Sequence, residues 1–528
     1  MKILFVSAEV APYVSVGGLS QVMYFLPNAL IRRNHDVRIF TPKYGAMDAY
    51  IQNKNNWILQ SVMEGLAIPV TSDNNTQKGK NGERGSLICN VKMHKGKKKA
   101  PISYFLENRE YYELRANVFE YSDDHVRFAL LSRGCLEWLY QSIKKDKDAW
   151  SPDIIQCNDW HTCYLIQWAK QDPRYKQMLA KTPVILTVHN FSFQGNYDFR
   201  YAKDTEKDVG YTPLEPILSP KLQKQNALLR GIKYADAINT VSPTHAIEVL
   251  TPEYGEGLDE QLLKVRGKLI GILNGLDTKE FNPQTDPIIK QNYNEKTFTK
   301  ARRANKDELQ GLFSLERNPS IPLLGITARL AAQKGWDLLL EILPRLFEHK
   351  PNVQLIILGG GQHTYRERVQ KLHEMFPDRI GIHLFSDFRL PRKIFGGADM
   401  MLIPSNFEPG GIVALEALRY GCVPIVRRTG GLNDIIQDFN SKTKKGNGFS
   451  FQKKASWALY ATVIEALTIY QQPHMWKKLV YNCLTADYSW EHSAKEYEKW
   501  YEQIMEEKKR ATSITPHPAY GYRPMLEI

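Results

Sequence analysis

The sequence predicts an α/β protein built from two doubly wound domains that face each other across a cleft. Three observations lead to this prediction. Short apolar runs typical of buried strands alternate with helix-length segments, as in parallel sheets covered by helices. The chain has 528 residues, which is more than one core of ordinary size accommodates. A polar stretch from Pro283 to about Pro322 separates two sets of strand-like runs.

The strand-like runs follow one another in order through each half. They are KILFVS, HDVRIF, DIIQCN, PVILTV and DAINTV in the first half, and IPLLGIT, VQLIIL, IGIHLF, MMLIPS and CVPIVRR in the second. We expect an N-terminal Rossmann-like domain over residues 1–268 and a C-terminal one over 269–489. Aromatic residues at helical spacing predict a helix over 490–510 that completes the first domain. We expect the proline-containing tail, 511–528, to be flexible.

Composition narrows the class of protein. Hydrophobic residues make up 43% and charged residues 24% of the chain, as in folded globular proteins. No apolar run approaches the ~20 residues of a membrane helix, and MKILFVSAEVAPY shows no signal-peptide cleavage pattern. The six cysteines show no C-x-x-C spacing, which disfavours a metal site or a disulfide scaffold. We therefore expect a cytoplasmic protein with no membrane contact, no metal and no cofactor.

The net charge of +13 comes largely from local lysine-rich runs, such as KGKNGERG and KMHKGKKK. These runs lie in residues 72–100, which we expect to form a loop or hairpin. A solvated surface is the simplest interpretation. Nucleic acid is the alternative, but no recognition motif accompanies the runs, so we expect no nucleic-acid partner. A positive cleft would also favour an anionic substrate.

The second half places functional side chains after three successive strand-like runs. Arg329 and Lys334 follow the first, Glu408 and Glu416 the second, and Gly430–Gly431 the third. In open parallel sheets, ligands bind where strands end. Arginine and lysine make charge-assisted bonds to phosphate, and carboxylates accept sugar hydroxyls. This combination indicates a sugar-nucleotide site.

Each of these residues also has a simpler interpretation. Arg329 and Lys334 alone would form a solvated loop pair. Glu408 would be a carboxylate that favours a helix N-terminus, and Glu416 would lie on an exposed helix face. The joint occurrence at three strand ends is what favours a functional site.

The first half carries weaker signals. Gly17 and Gly18 precede a helix and suit either phosphate approach or a tight turn. Asp159-Trp160-His161 and His189-Asn190 follow two strand-like runs. Either histidine alone would be a structural, hydrogen-bonded residue, but two strand ends with histidines at one cleft make a functional role equally plausible. The Asp-x-Asp letters at 146–148 match a metal-binding pattern but lie in a lysine-rich loop, which predicts a solvated segment.

Several sequence blocks, in order, carry a family resemblance. They are NDWHT, TVHNFSFQG, TVSPTHAIEVLTPEYGEGLD, GILNGLDTKEFNP, ANKDELQ, TARLAAQKGWDLL, SNFEPGG and LRYGCVPIVRRTGGL. Over nearly its whole length the chain resembles the bacterial and plant starch/glycogen synthases, glycosyltransferase family 5, which have the two-domain GT-B fold. The resemblance implies retaining transfer of glucose from a nucleotide sugar, usually ADP-glucose, to the non-reducing end of an α-1,4-glucan.

The resemblance also implies roles for individual residues. The catalytic set is His189, Asp159, Arg329, Lys334 and Glu408. The donor-binding set is Ser15, Gly18, Asn274, Phe385, Gly410, Gly411, Ile412, Glu416, Thr429, Gly430 and Gly431. In this scheme the two cations hold the diphosphate, the glycine amides lie near the sugar and phosphates, and Phe385 stacks on the base.

Two departures from the family pattern lie in the donor set. The family signature K-T-G-G-L appears as S-V-G-G-L, so Ser15 replaces a lysine that contacts the donor. Glu408 and Glu416 restore the Glu-x7-Glu pattern of the wider retaining GT-B transferases, and about 2.2 helical turns would let both face one side. The alternatives are a family-4-like transferase using a UDP- or GDP-sugar, a sugar-nucleotide epimerase, or a catalytically weakened glucan-binding homologue.

Overall fold

A computed structural model shows two α/β domains joined by two adjacent chain crossings. The structure describes residues 1–48, 58–70, 85–96, 100–195, 197–350, 352–385, 387 and 389–513. The predicted tail beyond residue 513 and most of the lysine-rich runs lie outside the described residues. The structure describes no helix that is both long and apolar enough to cross a membrane.

The N-terminal domain is built on a nine-stranded sheet. Its strands are β1 Lys2–Val6, β2 Asp36–Pro42, β3 Gln60–Pro69, β4 Ser86–Lys95, β5 Ile102–Glu107, β6 Ile154–Asn158, β7 Val184–Val188, β8 Ile238–Thr240 and β9 Leu269–Gly271. Their order is β3-β4-β5-β2-β1-β6-β7-β8-β9, parallel except where β4 pairs with β3 and β5. The central strands β6 and β7 are buried throughout, as their continuous apolar runs predict.

Helices cover both faces of this sheet. They are α1 Gly18–Arg32, α2 Asp124–Lys145, α3 Cys163–Gln171, α4 Pro173–Met178, α5 Ala227–Tyr234, α6 Pro243–Glu248 and α7 Asp259–Lys264, with a π-helical turn over Arg109–Glu113 and 3₁₀ turns over Trp160–Thr162, Asp204–Glu206, Leu222–Lys224 and Arg266–Lys268. One core lies on the α2 face and a second on the α1 face. The six cysteines of the chain are buried free thiols.

The C-terminal domain has a six-stranded sheet of order β12-β11-β10-β13-β14-β15, parallel throughout. Its strands are β10 Leu323–Thr327, β11 Gln354–Leu358, β12 Ile380–His383, β13 Met400–Ile403, β14 Val423–Arg427 and β15 Phe449–Phe451. Its helices are α8 Phe298–Leu312, α9 Trp336–His349, α10 His363–Met375, α11 Leu390–Gly397, α12 Ile412–Arg419, α13 Gly430–Ile435, α14 Ser456–Tyr470 and α15 Pro473–Thr485, with a 3₁₀ turn over Ala332–Lys334.

The last helix, α16 Trp490–Ser513, returns to the N-terminal domain. Trp490, Tyr497, Trp500 and Tyr501 are buried with α1 and the first strands, so the aromatic spacing does correspond to core packing. The two crossings touch, because the Leu276 amide donates to the Tyr488 carbonyl at 2.8 Å.

The structure differs from the expected limits at two points. The helix α16 continues to Ser513, past the predicted end at residue 510. The strand β9 pairs in parallel with β8, which places residues 269–271 in the N-terminal sheet, beyond the predicted boundary at residue 268. The three residues of β9 are only half-buried, unlike those of the equally short β8, which the run DAINTV predicted. Within residues 72–100, the described strand β4 forms an antiparallel hairpin with β3, which agrees with the hairpin alternative. The Asp-x-Asp letters at 146–148 lie on exposed residues, as expected.

Candidate active site

Lys334 and Glu408 come together after β10 and β13, at the carboxyl edge of the C-terminal sheet. The Lys334 ammonium lies 2.6 Å from Oε2 of Glu408. The Ser405 hydroxyl donates to the same oxygen at 3.0 Å. Both side chains are about one-sixth exposed, at 17% and 15%. The structure therefore joins two of the predicted catalytic residues in one partly buried ion pair, and both bonds leave Oε1 of Glu408 available.

The loop that carries Lys334 is tied to the loop that carries Glu408. The Asn406 amide donates to the Gln333 carbonyl at 2.7 Å, and the Asn406 side chain donates to Ala332 at 2.7 Å. Gly335 has a φ of +74°, and a Cβ there would lie 2.0 Å from the Pro404 carbonyl oxygen. Only glycine allows this approach, and it sets the position of the lysine relative to the carboxylate.

Arg329 begins the same loop and keeps its side chain exposed. The Trp336 indole donates to the Arg329 carbonyl at 2.9 Å, which holds the backbone. Within the described ranges, the guanidinium makes one long hydrogen bond, 3.4 Å to the Gln333 side chain. The backbone is thus anchored while the charged end remains accessible to an anion.

Arg427 supports this region and was missed by sequence reasoning. It is buried, with 4% of its surface exposed, and its Nε donates to the Ser405 carbonyl at 2.9 Å. A second guanidinium nitrogen donates to the Asn406 carbonyl and, at 3.3 Å, to the Tyr254 hydroxyl of the other domain. Its signal was present in the sequence, because the strand-like run CVPIVRR ends in arginine.

Glu416 lies on α12, whereas Glu408 precedes this helix, which begins only at Ile412. The helical spacing argument for placing both carboxylates on one side therefore does not apply. Glu416 is half-buried, and desolvation raises the pKa of its carboxyl to about 7 despite the opposing effect of Arg392.

Phe385 follows β12 and is 64% exposed. The Arg366 guanidinium lies 5.0 Å from the centre of its ring. The structure places the ring at the carboxyl edge of the C-terminal sheet, the same edge as Lys334, where a base would have access to it.

The glycine pair at the start of α13 is already bonded. The Gly431 amide donates to the carbonyls of Glu408 and Pro409, both at 3.0 Å. The Gly430 amide donates at 3.0 Å to Oε2 of Glu248, a side chain of the N-terminal domain. In this arrangement neither amide is free for a phosphate, and their predicted donor role stays a prediction.

Four other members of the predicted donor set, Asn274, Gly410, Gly411 and Thr429, lie at the interface between the domains or beside it. A Cβ added at Gly410 would lie 3.4 Å from the Asn274 amide nitrogen and 3.7 Å from Val241. Gly411, with a φ of +65°, precedes α12. Oδ1 of Asn274 and Oγ1 of Thr429 are buried without a hydrogen-bond partner among the described residues. Buried polar atoms of this kind are rare in proteins and suit contact with a ligand or water.

Asp159 and His189 lie side by side at the ends of the adjacent strands β6 and β7. Oδ1 of Asp159 accepts from the His189 amide at 2.7 Å. Asp159 has a φ of +56°, a conformation that non-glycine residues seldom adopt and that clusters at functional sites. His189 Nε2 lies 3.2 Å from Oδ1 of Asn158, whose amide nitrogen donates to Val6. His189 Nε2 is thus the protonated nitrogen, and Nδ1 is left as an acceptor.

Burial shifts both groups toward their neutral forms. Desolvation raises the pKa of the Asp159 carboxyl to about 7, although backbone N–H groups of His189 and Asn190 oppose the shift. Desolvation lowers the pKa of His189 to about 4. His189 is therefore neutral at pH 7, and Asp159 is poised between its two forms.

Glu9 organises the glycine-containing loop after β1. It is 2% exposed, and its Oε2 accepts from the amides of Val16 and Gly17 at 2.7 and 3.1 Å. Burial raises its pKa, with a further contribution from Asp159. Ser15 is exposed and its hydroxyl lies 2.7 Å from that of Ser20, while Gly18 opens α1. Sequence reasoning overlooked Glu9, whose charge interrupts an apolar run.

The two domains touch through α6 and α13. The Thr244 amide and hydroxyl donate to the Asp434 carboxylate at 2.8 and 2.6 Å. Asn433 donates to the Thr244 hydroxyl at 2.9 Å. With the Glu248–Gly430 bond, these contacts form what we call the α6–α13 contact, consisting of Thr244, Glu248, Gly430, Asn433 and Asp434.

Known proteins share this organisation. The family description "Starch synthase catalytic domain" matches residues 2–264, and "Glycosyl transferases group 1" matches residues 312–482. The chain belongs to the glycogen/starch synthase family. The glycogen synthase of Clostridium novyi (strain NT) is 37% identical over 510 residues, covering 96% of this chain and 99% of that one. The glycogen synthase of Caldicellulosiruptor bescii is 37% identical over 508 residues, covering 96% and 100%.

A solved structure agrees with these relatives. The catalytic domain of starch synthase IV from Arabidopsis thaliana, bound to ADP and acarbose, matches with a TM-score of 0.77 and 28% identity. The match covers 96% of this chain and 99% of that one. The predicted GT-B fold is confirmed, as is the predicted family. The protein is a glycosyltransferase of the glycogen synthase type.

Proposed function

We propose that this glycosyltransferase moves glucose from ADP-glucose to the non-reducing end of an α-1,4-glucan with retention at the anomeric carbon. The observation that carries the proposal is the Lys334–Glu408 pair, at 2.6 Å, in the loops that also hold Arg329. The Arabidopsis relative with bound ADP and acarbose supports an adenine nucleotide and a glucan-like acceptor.

Lys334 and Arg329 would bind the diphosphate. The ammonium carries three protons, so Lys334 can keep its bond to Glu408 and still donate to phosphate. Negative charge builds on the departing diphosphate as the glycosidic bond breaks. Cations held in place before the reaction stabilise that charge without reorganisation, and such donors typically contribute ~10²–10³ in rate.

Glu408 would hold the donor sugar. Its Oε2 is taken by Lys334 and Ser405, so Oε1 is the atom left for sugar hydroxyls. Gly410 and Gly411 follow after Pro409 and provide a surface without side chains for close approach. The carboxylate thereby links the position of the sugar to that of the phosphate-binding lysine.

His189 and Asp159 would position the reacting sugars from the other domain. A neutral imidazole with Nδ1 free accepts a sugar hydroxyl and does not act as a cation. We propose front-face attack by the acceptor hydroxyl, whose proton passes to the departing phosphate. His189 is then a positioning group rather than the general base.

Glu416 and Phe385 would contact the nucleoside, through the ribose and the base respectively. Ser15, Asn274, Ile412, Thr429 and the Gly430–Gly431 pair complete the proposed donor set. Because the Gly430 amide is bonded to Glu248 here, its use by a donor requires the α6–α13 contact to rearrange.

Closure about the crossings near residues 265–275 and 485–495 would exclude water, which competes as an acceptor. At these crossings Gly275 packs against the backbone of Trp490. A Cβ added at Gly275 would lie 2.5 Å from Trp490 backbone atoms, so the two crossings are in close contact. We expect donor and glucan together to change the small-angle scattering profile, and identical profiles would contradict closure. We propose that the protein acts in the cytoplasm.

The test is incorporation of radiolabelled sugar into precipitated glycogen from ADP-glucose, UDP-glucose and GDP-glucose, with Lys334→Ala as the inactive control. Label from ADP-glucose alone is the expected result. Label mainly from UDP- or GDP-glucose would replace it by the second candidate, a transferase with a different donor. Ser15, which brings no cation to the donor loop, and Glu416 are the observations that favour that candidate. Donor binding without label from any sugar would indicate a glucan-binding homologue.

A further inference from the structure

A cavity lies in the C-terminal domain, away from the candidate active site. Its volume is about 770 Å³. Its walls come from α8, from the segments that precede β10, β11 and β13, and from the junction of α14 with α15. It therefore opens at the amino edge of the sheet. Five-residue strands, ~17 Å long, separate this edge from the loops of Lys334 and Glu408.

The cavity is strongly positive. Five cationic side chains line it, Arg302, Arg303, Lys306, Lys350 and Lys477, against one carboxylate, Asp399. Two of these cations, Arg302 and Lys306, bond to groups of the protein itself. Arg302 donates to the Phe395 carbonyl at 3.0 Å, and Lys306 lies 2.6 Å from Asp399.

The other three cations, Arg303, Lys350 and Lys477, differ from Arg302 and Lys306 in their ion pairing. In the described part of the chain, no carboxylate forms an ion pair with Arg303, Lys350 or Lys477. Like charges gathered without counter-charges repel one another, so an anion bound among them is favoured.

One helix end adds to this potential. The 13-residue helix α15 begins at Pro473, and Gln472 before it makes no side-chain capping bond. Pro473 and His474 line the cavity. The first amides of a helix have no partner within the helix and carry the positive end of its dipole, which attracts anions.

An aromatic pair forms another part of the wall. The rings of Tyr470 and Trp476 lie 5.0 Å apart at an angle of 71°. The Tyr470 hydroxyl accepts from Lys306 at 3.1 Å and donates to the Pro319 carbonyl at 3.3 Å, which fixes this ring in place. Aromatic surfaces of this kind pack against sugar or base rings.

We propose that this cavity binds a small molecule that carries both a phosphate monoester and a sugar or base ring. Arg303, Lys350, Lys477 and the start of α15 would take the phosphate, and Tyr470 and Trp476 would contact the ring. The volume lies within the ~300–1,000 Å³ of ordinary small-molecule sites. This site is separate from the proposed donor site and does not depend on the proposed function.

The test is isothermal titration calorimetry of the full chain with glucose 6-phosphate, AMP and inorganic phosphate. We expect glucose 6-phosphate or AMP to bind, and whichever binds identifies the ring. The double variant Arg303→Gln/Lys477→Gln should weaken that binding at least tenfold. Lys300→Gln removes a charge from the exposed face of the same helix outside the cavity and should leave affinity within twofold.

Lys334→Ala separates the two sites. If the ligand binds in the cavity, its affinity for this variant should be unchanged, because Lys334 lies at the opposite edge of the sheet. The ligand here is whichever of glucose 6-phosphate and AMP binds the wild type. Loss of binding in Lys334→Ala would place the ligand in the active site and overturn the proposal. So would no binding of either ring-bearing ligand, or equal affinity in the double variant. Inorganic phosphate binding as tightly as the ring-bearing ligand would overturn the role of the aromatic pair.

Discussion

The two domains present functional groups at the same kind of sheet edge but in opposite electrostatic states. In the C-terminal domain, Lys334 and Glu408 form an ion pair at 2.6 Å beside the exposed Arg329. In the N-terminal domain, burial raises the pKa of Asp159 to about 7 and lowers that of His189 to about 4. The C-terminal domain presents charged groups, whereas the N-terminal domain presents a neutral imidazole and a carboxyl that is only partly ionised at pH 7.

This difference suits a transfer reaction in which only one partner becomes charged. In the proposed reaction, the diphosphate gains negative charge as it departs and needs fixed cations. The incoming hydroxyl needs orientation and the exclusion of water, which buried neutral groups provide. The comparison makes distinct predictions for the two sides.

The largest expected effect on activity comes from removing a charge from the active site of the C-terminal domain. Lys334→Ala should lower kcat by ~10² or more while the fold is kept, because the diphosphate loses a preorganised donor. Steady-state kinetics and thermal unfolding would measure the two properties. Lys300→Ala, an exposed lysine on α8, is the matched control. Near-normal turnover in Lys334→Ala would remove the diphosphate assignment.

The raised pKa of the Asp159 carboxyl, in the N-terminal domain, should appear in the pH dependence of stability. With a folded-state pKa near 7, above its ordinary value, Asp159 contributes stability at acid pH that is lost as pH rises from about 4 through 7. The side chain of Asp159→Asn stays neutral at every pH. The free energy of unfolding of this variant, relative to that of the wild type, should therefore rise by up to about 4 kcal/mol between pH 4 and pH 8.

Thermal midpoints of both proteins at pH 4, 6 and 8 would measure this gain. Asp378→Asn, which makes the same change on an exposed residue, is the control. A difference in thermal midpoint between wild type and Asp159→Asn that is constant with pH would show that the pKa of Asp159 is not raised, and would contradict the contrast between the domains.

The geometry of the charged side depends on one glycine. Gly335→Ala should destabilise the C-terminal domain by about 2 kcal/mol or more, because the φ is positive and the new Cβ meets the Pro404 carbonyl. Activity should fall with it. Gly267→Ala, where an added Cβ meets nothing within 4 Å, is the control. Equal melting temperatures for the two variants would contradict the close packing of these loops.

The smallest expected effect concerns how the two sides are joined. Asp434→Asn weakens the bonds from Thr244 in the α6–α13 contact, at a cost of about 1 kcal/mol. We expect a larger radius of gyration in small-angle scattering and a few-fold change in KM for the donor. If neither quantity differs from the wild type, the contact does not govern the relative position of the domains.

Much of the fold could be predicted because buried parallel strands leave continuous apolar runs in the sequence. All ten of the runs identified correspond to strands. The runs did not include β3, β4, β5, β9 or β15. The strand β9 is only half-buried, unlike the equally short β8, and it extends the N-terminal sheet past the predicted boundary. The π-helical turn at Arg109–Glu113 has no pattern of its own.

The candidate site divides in the same way. Residue types at strand ends made Arg329, Lys334, Glu408, Asp159 and His189 candidates, because strand ends of a parallel sheet share one edge, and their roles stay predictions. Arg427, Glu9 and the α6–α13 contact were missed, since their partners lie far away along the chain. Helical spacing suggested that Glu408 and Glu416 share a helix, but α12 begins after Glu408.

By itself the sequence determined the two α/β domains, the family and the set of charged residues at the strand ends. Only the tertiary structure decided which of those charges pair, which are held neutral and which amides are already bonded. The physical reason is that apolar periodicity is a local property. A pKa or a hydrogen-bond partner depends on burial and on groups brought near by folding.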